Sequence, residues 1–171
     1  MRIDCPPSCP HLEHNESFQK DKRRLRYREA WGRVNVDLRG RESDLRALLV
    51  LEGIVFDVAG RFKGITDADL AKALDDLHGA LSPLELVKAP PGPLARQLVA
   101  EVEAFAQETG VQGVREHVDR IGQVLALVRD PAAPRAYLQG LAAYTEKAAP
   151  RTARPQPASG LIVTPDDLRR G

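Results

Sequence analysis

The chain has 171 residues, 43% of them hydrophobic and only 5% aromatic, with a formal net charge of +1. No apolar run approaches the ~18 residues that cross a bilayer, which excludes a helical membrane protein. No apolar leader precedes the first cysteine, so a cytoplasmic location with reduced thiols is expected.

With so few aromatic residues and one methionine, the core must be built from Leu, Val and Ala at helical spacing. The expected fold is all-α: a compact bundle of about five helices around a central buried helix. A basic N-terminal helix precedes it and a disordered tail follows. The expected divisions are a Cys/His loop over 1–14, the basic helix and a connector over 15–40, the bundle over 41–148, and a flexible tail with a terminal peptide over 149–171.

The first segment, Cys5-Pro6-Pro7-Ser8-Cys9-Pro10-His11-Leu12-Glu13-His14, holds both cysteines and two of the four histidines. Thiolate and imidazole are the ligands of structural zinc, and C-x3-C lies within the usual spacing. The three prolines stiffen the loop before metal arrives. The gaps from Cys9 to His11 and from His11 to His14 are tight for one tetrahedral ion. Cys5 and Cys9 with one or both histidines, completed from elsewhere, is the expected zinc set. An idle arm and a Cys5 to Cys9 disulfide are the competing readings.

From Asn15 to Arg33, Asn15 as N-cap and a run of Lys, Arg, Gln and Glu predict a helix. Phe18 and Leu25 share one side while Tyr27, Ala30 and Trp31 point elsewhere, so no broad apolar stripe exists. Such a helix projects into solvent or meets a partner. Between Lys20 and Arg41 nine basic residues stand against three acidic ones, whereas Glu42 to Glu146 carries ten basic and sixteen acidic. Lys20, Lys22, Arg23, Arg24, Arg26 and Arg28 are therefore candidates for an anionic partner, with Tyr27 and Trp31 available to stack on bases. The competing readings are a solvated charged helix, or one that lies on the acidic body of its own chain or of a second copy. A protein partner is expected, with nucleic acid as the alternative, and no membrane.

Val34 to Leu38 alternates apolar and polar residues, as an extended connector or a lone strand would. Ser43 is expected to open the central helix, Asp44 to about Phe62, whose apolar positions cover most of its circumference. Glu52 falls inside that arc, where a carboxylate is costly unless paired, so it is either a structural ion-pair member, most simply with an arginine, or a site residue.

Thr66-x-x-Asp69 matches a capping box and starts a helix to about Leu81. Pro93 starts the next helix, which Gly110 ends. A further helix from about Gly113 to Arg129 carries His117 on its apolar face. His117 reads as a hydrogen-bonded core histidine; its pairing with Glu52 would be the basis of a helical enzyme. The last helix spans Pro134 to about Lys147.

The Pro- and Ala-rich stretch after it has the composition of an unfolded linker. It leads to Leu161-Ile162-Val163 and then Leu168-Arg169-Arg170, a candidate docking peptide; the competing reading packs Leu161 to Val163 back on its own body beside Val34 to Leu38. Linker, apolar residues and Leu-Arg-Arg resemble the C-terminal targeting peptides of encapsulin cargo proteins. That resemblance covers about ten residues and implies a cargo or adaptor role, although the body lacks the Glu-x-x-His pairs of ferritin-like cargo. The chain has no P-loop, no G-x-G-x-x-G, no nucleophile elbow and no H-E-x-x-H. The leading expectation is a non-enzymatic interaction or regulatory protein with a zinc-binding N-terminus and a basic helix.

Overall fold

The computed structural model describes residues 10–81, 90–109 and 113–148, with the side chains of 10–13, 109 and 148 excepted. Six α-helices and one short 3-10 turn make up these residues. They are α1 (Pro10–Val34), the turn (Val36–Leu38), α2 (Glu42–Gly60), α3 (Asp67–Ala80), α4 (Pro93–Thr109), α5 (Val114–Val128) and α6 (Ala136–Ala148). No helix among them is long and apolar enough to cross a membrane.

The helices pack as their apolar spacing requires. Leu70, Ala73, Leu74 and Leu77 form the buried stripe of α3, which lies against α4 and α5. The α5 stripe of Val118, Ile121, Val124, Leu125 and Val128 is buried between α3, α1 and α2. In α2, Leu48, Leu51, Val55, Val58 and Ala59 enter the same core, against α4 and α5. The expected burial of Leu49 is corrected: it is 46% exposed and its neighbour Val50 is 43% exposed, leaving α2 one open side.

Local signals set most boundaries. Thr66 caps α3, its Oγ1 accepting from the Asp69 backbone N–H at 3.2 Å while Asp69 accepts from the Thr66 N–H at 3.0 Å. Pro93 opens α4. Ser43, by contrast, does not cap α2: that helix starts at Glu42, after Arg41, and no side-chain cap is made. Likewise α1 starts at Pro10, five residues before the expected Asn15, because proline is at home in the first turn of a helix.

In the alternating Val34–Leu38 stretch, Val34 ends α1 and Val36–Leu38 is a 3-10 turn rather than extended chain. Period-three geometry buries Leu38 and leaves Val36 exposed. Arg120 of α5 fixes it, donating to both carboxylate oxygens of Asp37 at 2.8 and 2.7 Å and to the Val34 carbonyl at 3.2 Å. These bonds hold the Asp37 carboxyl below the usual carboxylate range and raise the Arg120 guanidinium.

Candidate functional site

α1 changes character along its length. Its second half docks through Tyr27, Ala30 and Trp31, the residues that the sequence places away from Phe18 and Leu25. Contact with α6 is close at Gly140, where an added Cβ would lie 3.0 Å from the Tyr27 Cβ and 3.1 Å from the Arg23 carbonyl oxygen. Phe18 and Leu25 face outward, Phe18 being 59% exposed. Every residue from His14 to Phe18 is exposed.

The docked half delivers Trp31 to Glu52, and α6 delivers Tyr137. The Glu52 carboxylate, 3% exposed, accepts from the Trp31 indole at 3.1 Å on Oε2 and from the Tyr137 hydroxyl of α6 at 3.0 Å on Oε1. Among the described residues the buried Tyr27 hydroxyl has no hydrogen-bond partner of normal geometry. Tyr27, Tyr137 and Tyr144 form a tilted ring cluster with centroids 5.8 and 5.4 Å from Tyr27. Burial raises the Glu52 carboxyl, and the polar hydrogens of Tyr27, Tyr137 and Trp31 offset this only in part. Burial raises both tyrosines as well, Glu52 adding to the shift.

The expected arginine partner of Glu52 is therefore replaced by an indole and a phenol. The polar partners of Glu52 are Trp31 and Tyr137, not His117. His117 is 4% exposed, and among the described residues its Nδ1 has no hydrogen-bond partner. Burial lowers its imidazole; Asp44 and Glu116 oppose this, while Arg120 and Arg41 reinforce it. Neither Glu52 nor His117 lines the surface cavities beside α2, beside α3 and α4, or beside α3 and α5.

Among the described residues, three of the six candidate cations of α1 pair within their own chain. Lys20 pairs with Glu146 of α6, Arg24 with Asp21 at 3.1 Å, and Arg26 with Asp130 at 3.2 Å. Lys22 and Arg26 both help to hold the Asp130 carboxyl low, after the Ala132 backbone N–H. Arg28 is exposed and Arg23 half-buried. The stacking role expected of Tyr27 is corrected, since it is fully buried between α1 and α6, and Trp31 is committed to Glu52.

Of the expected zinc ligands, Cys5 and Cys9 lie outside the described residues. His11 falls in the first turn of α1, its side chain also outside them, and His14 is exposed one turn later. Among the described residues no group of three or more His, Cys, Asp or Glu is arranged to hold a metal ion. The docking-peptide residues Leu161, Ile162, Val163 and Leu168 lie outside the described residues too.

Sequence reasoning missed Asp67. It is 1% exposed and caps α6 from α3, accepting from the Tyr137 N–H at 2.8 Å and the Leu138 N–H at 3.4 Å. Only its place in an acidic first turn hinted at such a role. No family model, curated protein or solved structure matches this chain.

Proposed function

We propose that this chain is a non-enzymatic interaction or regulatory protein. Its N-terminal Cys5, Cys9, His11 and His14 bind zinc, and α1 offers Lys20, Lys22, Arg23, Arg24, Arg26 and Arg28 to an anionic partner, a protein before a nucleic acid. The observation that carries this reading is the exposure of α1 from His14 to Phe18, directly after a segment rich in soft ligands. That stretch, with Phe18 in water beside polar groups, gains nothing from its own core, which suits a surface held for another molecule. α1 starting at Pro10 supports the metal reading, because positions 11 and 14 then fall within one turn of helix next to Cys9 in sequence. The buried setting of Glu52, with both carboxylate oxygens engaged, favours a structural role for it over an enzymatic one.

Elemental analysis of freshly purified protein tests the metal. About one zinc per chain is expected, with both thiols protected from alkylation and the ion released by acid. Cobalt substitution should give the intense visible bands of a tetrahedral thiolate site. Protein with far less than one metal per chain and freely alkylated thiols would remove the zinc part. For the cations, titration against RNA, DNA and acidic peptide at ~50 mM salt separates the partners, since phosphate binding weakens steeply as salt rises.

A further inference from the structure

α2 buries one face and leaves an outer strip in water: Glu42, Arg46, Leu49, Val50, Gly53, Asp57 and Gly60 are all exposed. Their spacing of three and four residues keeps them on one side of the helix. Leu49 and Val50 are two of the large apolar side chains left exposed among the described residues. Beside them is a cavity of about 290 Å³, lined by Val50, Gly53, Ile54, Asp57, Arg61 and Glu101. Among the described residues, a Cβ added at Gly53 or at Gly60 would meet nothing within 4 Å. A knob and a hollow thus lie side by side on one helix.

We propose that this strip is the face on which two copies of the chain pair, with their α2 helices antiparallel about a two-fold axis. The sequence of the strip is complementary to its own reverse. With the axis level with the Leu51–Glu52 midpoint, Val50 of one copy stands opposite Gly53 of the other and enters the cavity beside it. Arg46 stands opposite Asp57 on the same flank, and Glu42 is level with Arg61. Each contact occurs twice, as a two-fold interface requires.

The charges also reject neighbouring registers. A slip of about one turn in one direction sets Glu42 against Asp57; in the other it sets Arg46 against Arg61 and Val50 against Asp57. Within one copy Arg61 bonds Asp57 and, at 2.8 Å, Glu101, so pairing extends an ionic cluster that already exists. The footprint of one helix is smaller than the ~800 Å² per partner of a standard interface, so a reversible dimer in the micromolar range is expected.

Sedimentation velocity on the full chain, from about 1 to 500 μM, tests this. Arg46→Glu and Val50→Glu should each weaken dimerisation by about tenfold or more, since a facing pair becomes repulsive or a buried contact becomes charged. Asp57→Arg should weaken it as well, and the Arg46→Glu/Asp57→Arg double variant should restore it. Thermal melts must show each variant folded, and these exposed positions make that the expected result. A chain that stays monomeric throughout would overturn the proposal. So would a dimer indifferent to Arg46→Glu and Val50→Glu, or single losses that the double charge swap fails to rescue.

Discussion

At the scale of single residues, Glu52 and His117 are two buried titratable groups with opposite effects on stability. Burial raises Glu52 above its ordinary value of 4.5. The folded chain then keeps a proton that the unfolded chain has lost, so stability from this group is complete at low pH and falls as pH rises from 4.5 toward the folded value. Glu52→Gln cannot ionise, so its stability relative to the parent should improve between about pH 4 and pH 7.5, as read by urea denaturation. The opposite trend would mean a charged, compensated carboxylate. Glu52→Ala removes the acceptor of both Trp31 and Tyr137 and leaves a void, and should cost about 2–5 kcal/mol. Burial lowers His117 from 6.5, so the unfolded chain takes the proton first and stability is lost as pH falls from 6.5 through the folded value. Because its Nδ1 has no partner among the described residues to lose, His117→Leu should be more stable than the parent at about pH 5 and within about 1 kcal/mol of it at pH 7.5, by thermal melting.

Elements depend on a few contacts between them. Gly140 is the place where α6 lets α1 approach, and two of the atoms that would meet a Cβ there are backbone atoms of Arg23. Alanine would gain up to ~1 kcal/mol in helix propensity, yet the neighbours cannot swing aside. Gly140→Ala should therefore lose about 1–2 kcal/mol net by urea denaturation, with Trp31 becoming more solvent-exposed in fluorescence. Asp67 ties the start of α6 to the start of α3, and its carboxylate faces the positive end of the α6 dipole. Asp67→Ala should cost about 1–2 kcal/mol, in the upper part of the range for a lost helix cap. Contacts of this kind were not legible in the sequence. Thr66 and Asp69 are three residues apart and announce a capping box; Asp67 and Tyr137 are seventy apart, and nothing local marks them as partners.

Over the whole molecule, legibility follows the same division. Periodicity revealed the helices and their stripes, from Leu70–Leu77 to Val118–Val128, because burial along one helix is written in its own spacing. It also marked Glu52 as a carboxylate in an apolar arc. The partner of Glu52 was hidden, because Trp31 and Tyr137 arrive from both ends of the chain, and their docking depends on Gly140 rather than on a charge pattern. For the same reason Tyr27 and Trp31 looked free for stacking when they are the inner face of α1. Glu52 thus joins α1, α2 and α6, and cooperativity can be tested through it. Trp31 is the one tryptophan in the chain and stands on α1, so its fluorescence follows that helix while far-UV circular dichroism follows all of them. If the contacts at Glu52 and Gly140 make α1 part of one cooperative unit, both signals should share a urea midpoint and slope. A fluorescence transition at clearly lower urea would show α1 leaving a bundle that stays folded. With a shared midpoint in the parent, Glu52→Ala should either move both transitions together or split them with Trp31 first. The second result would identify the buried carboxylate as the link that keeps α1 in the fold.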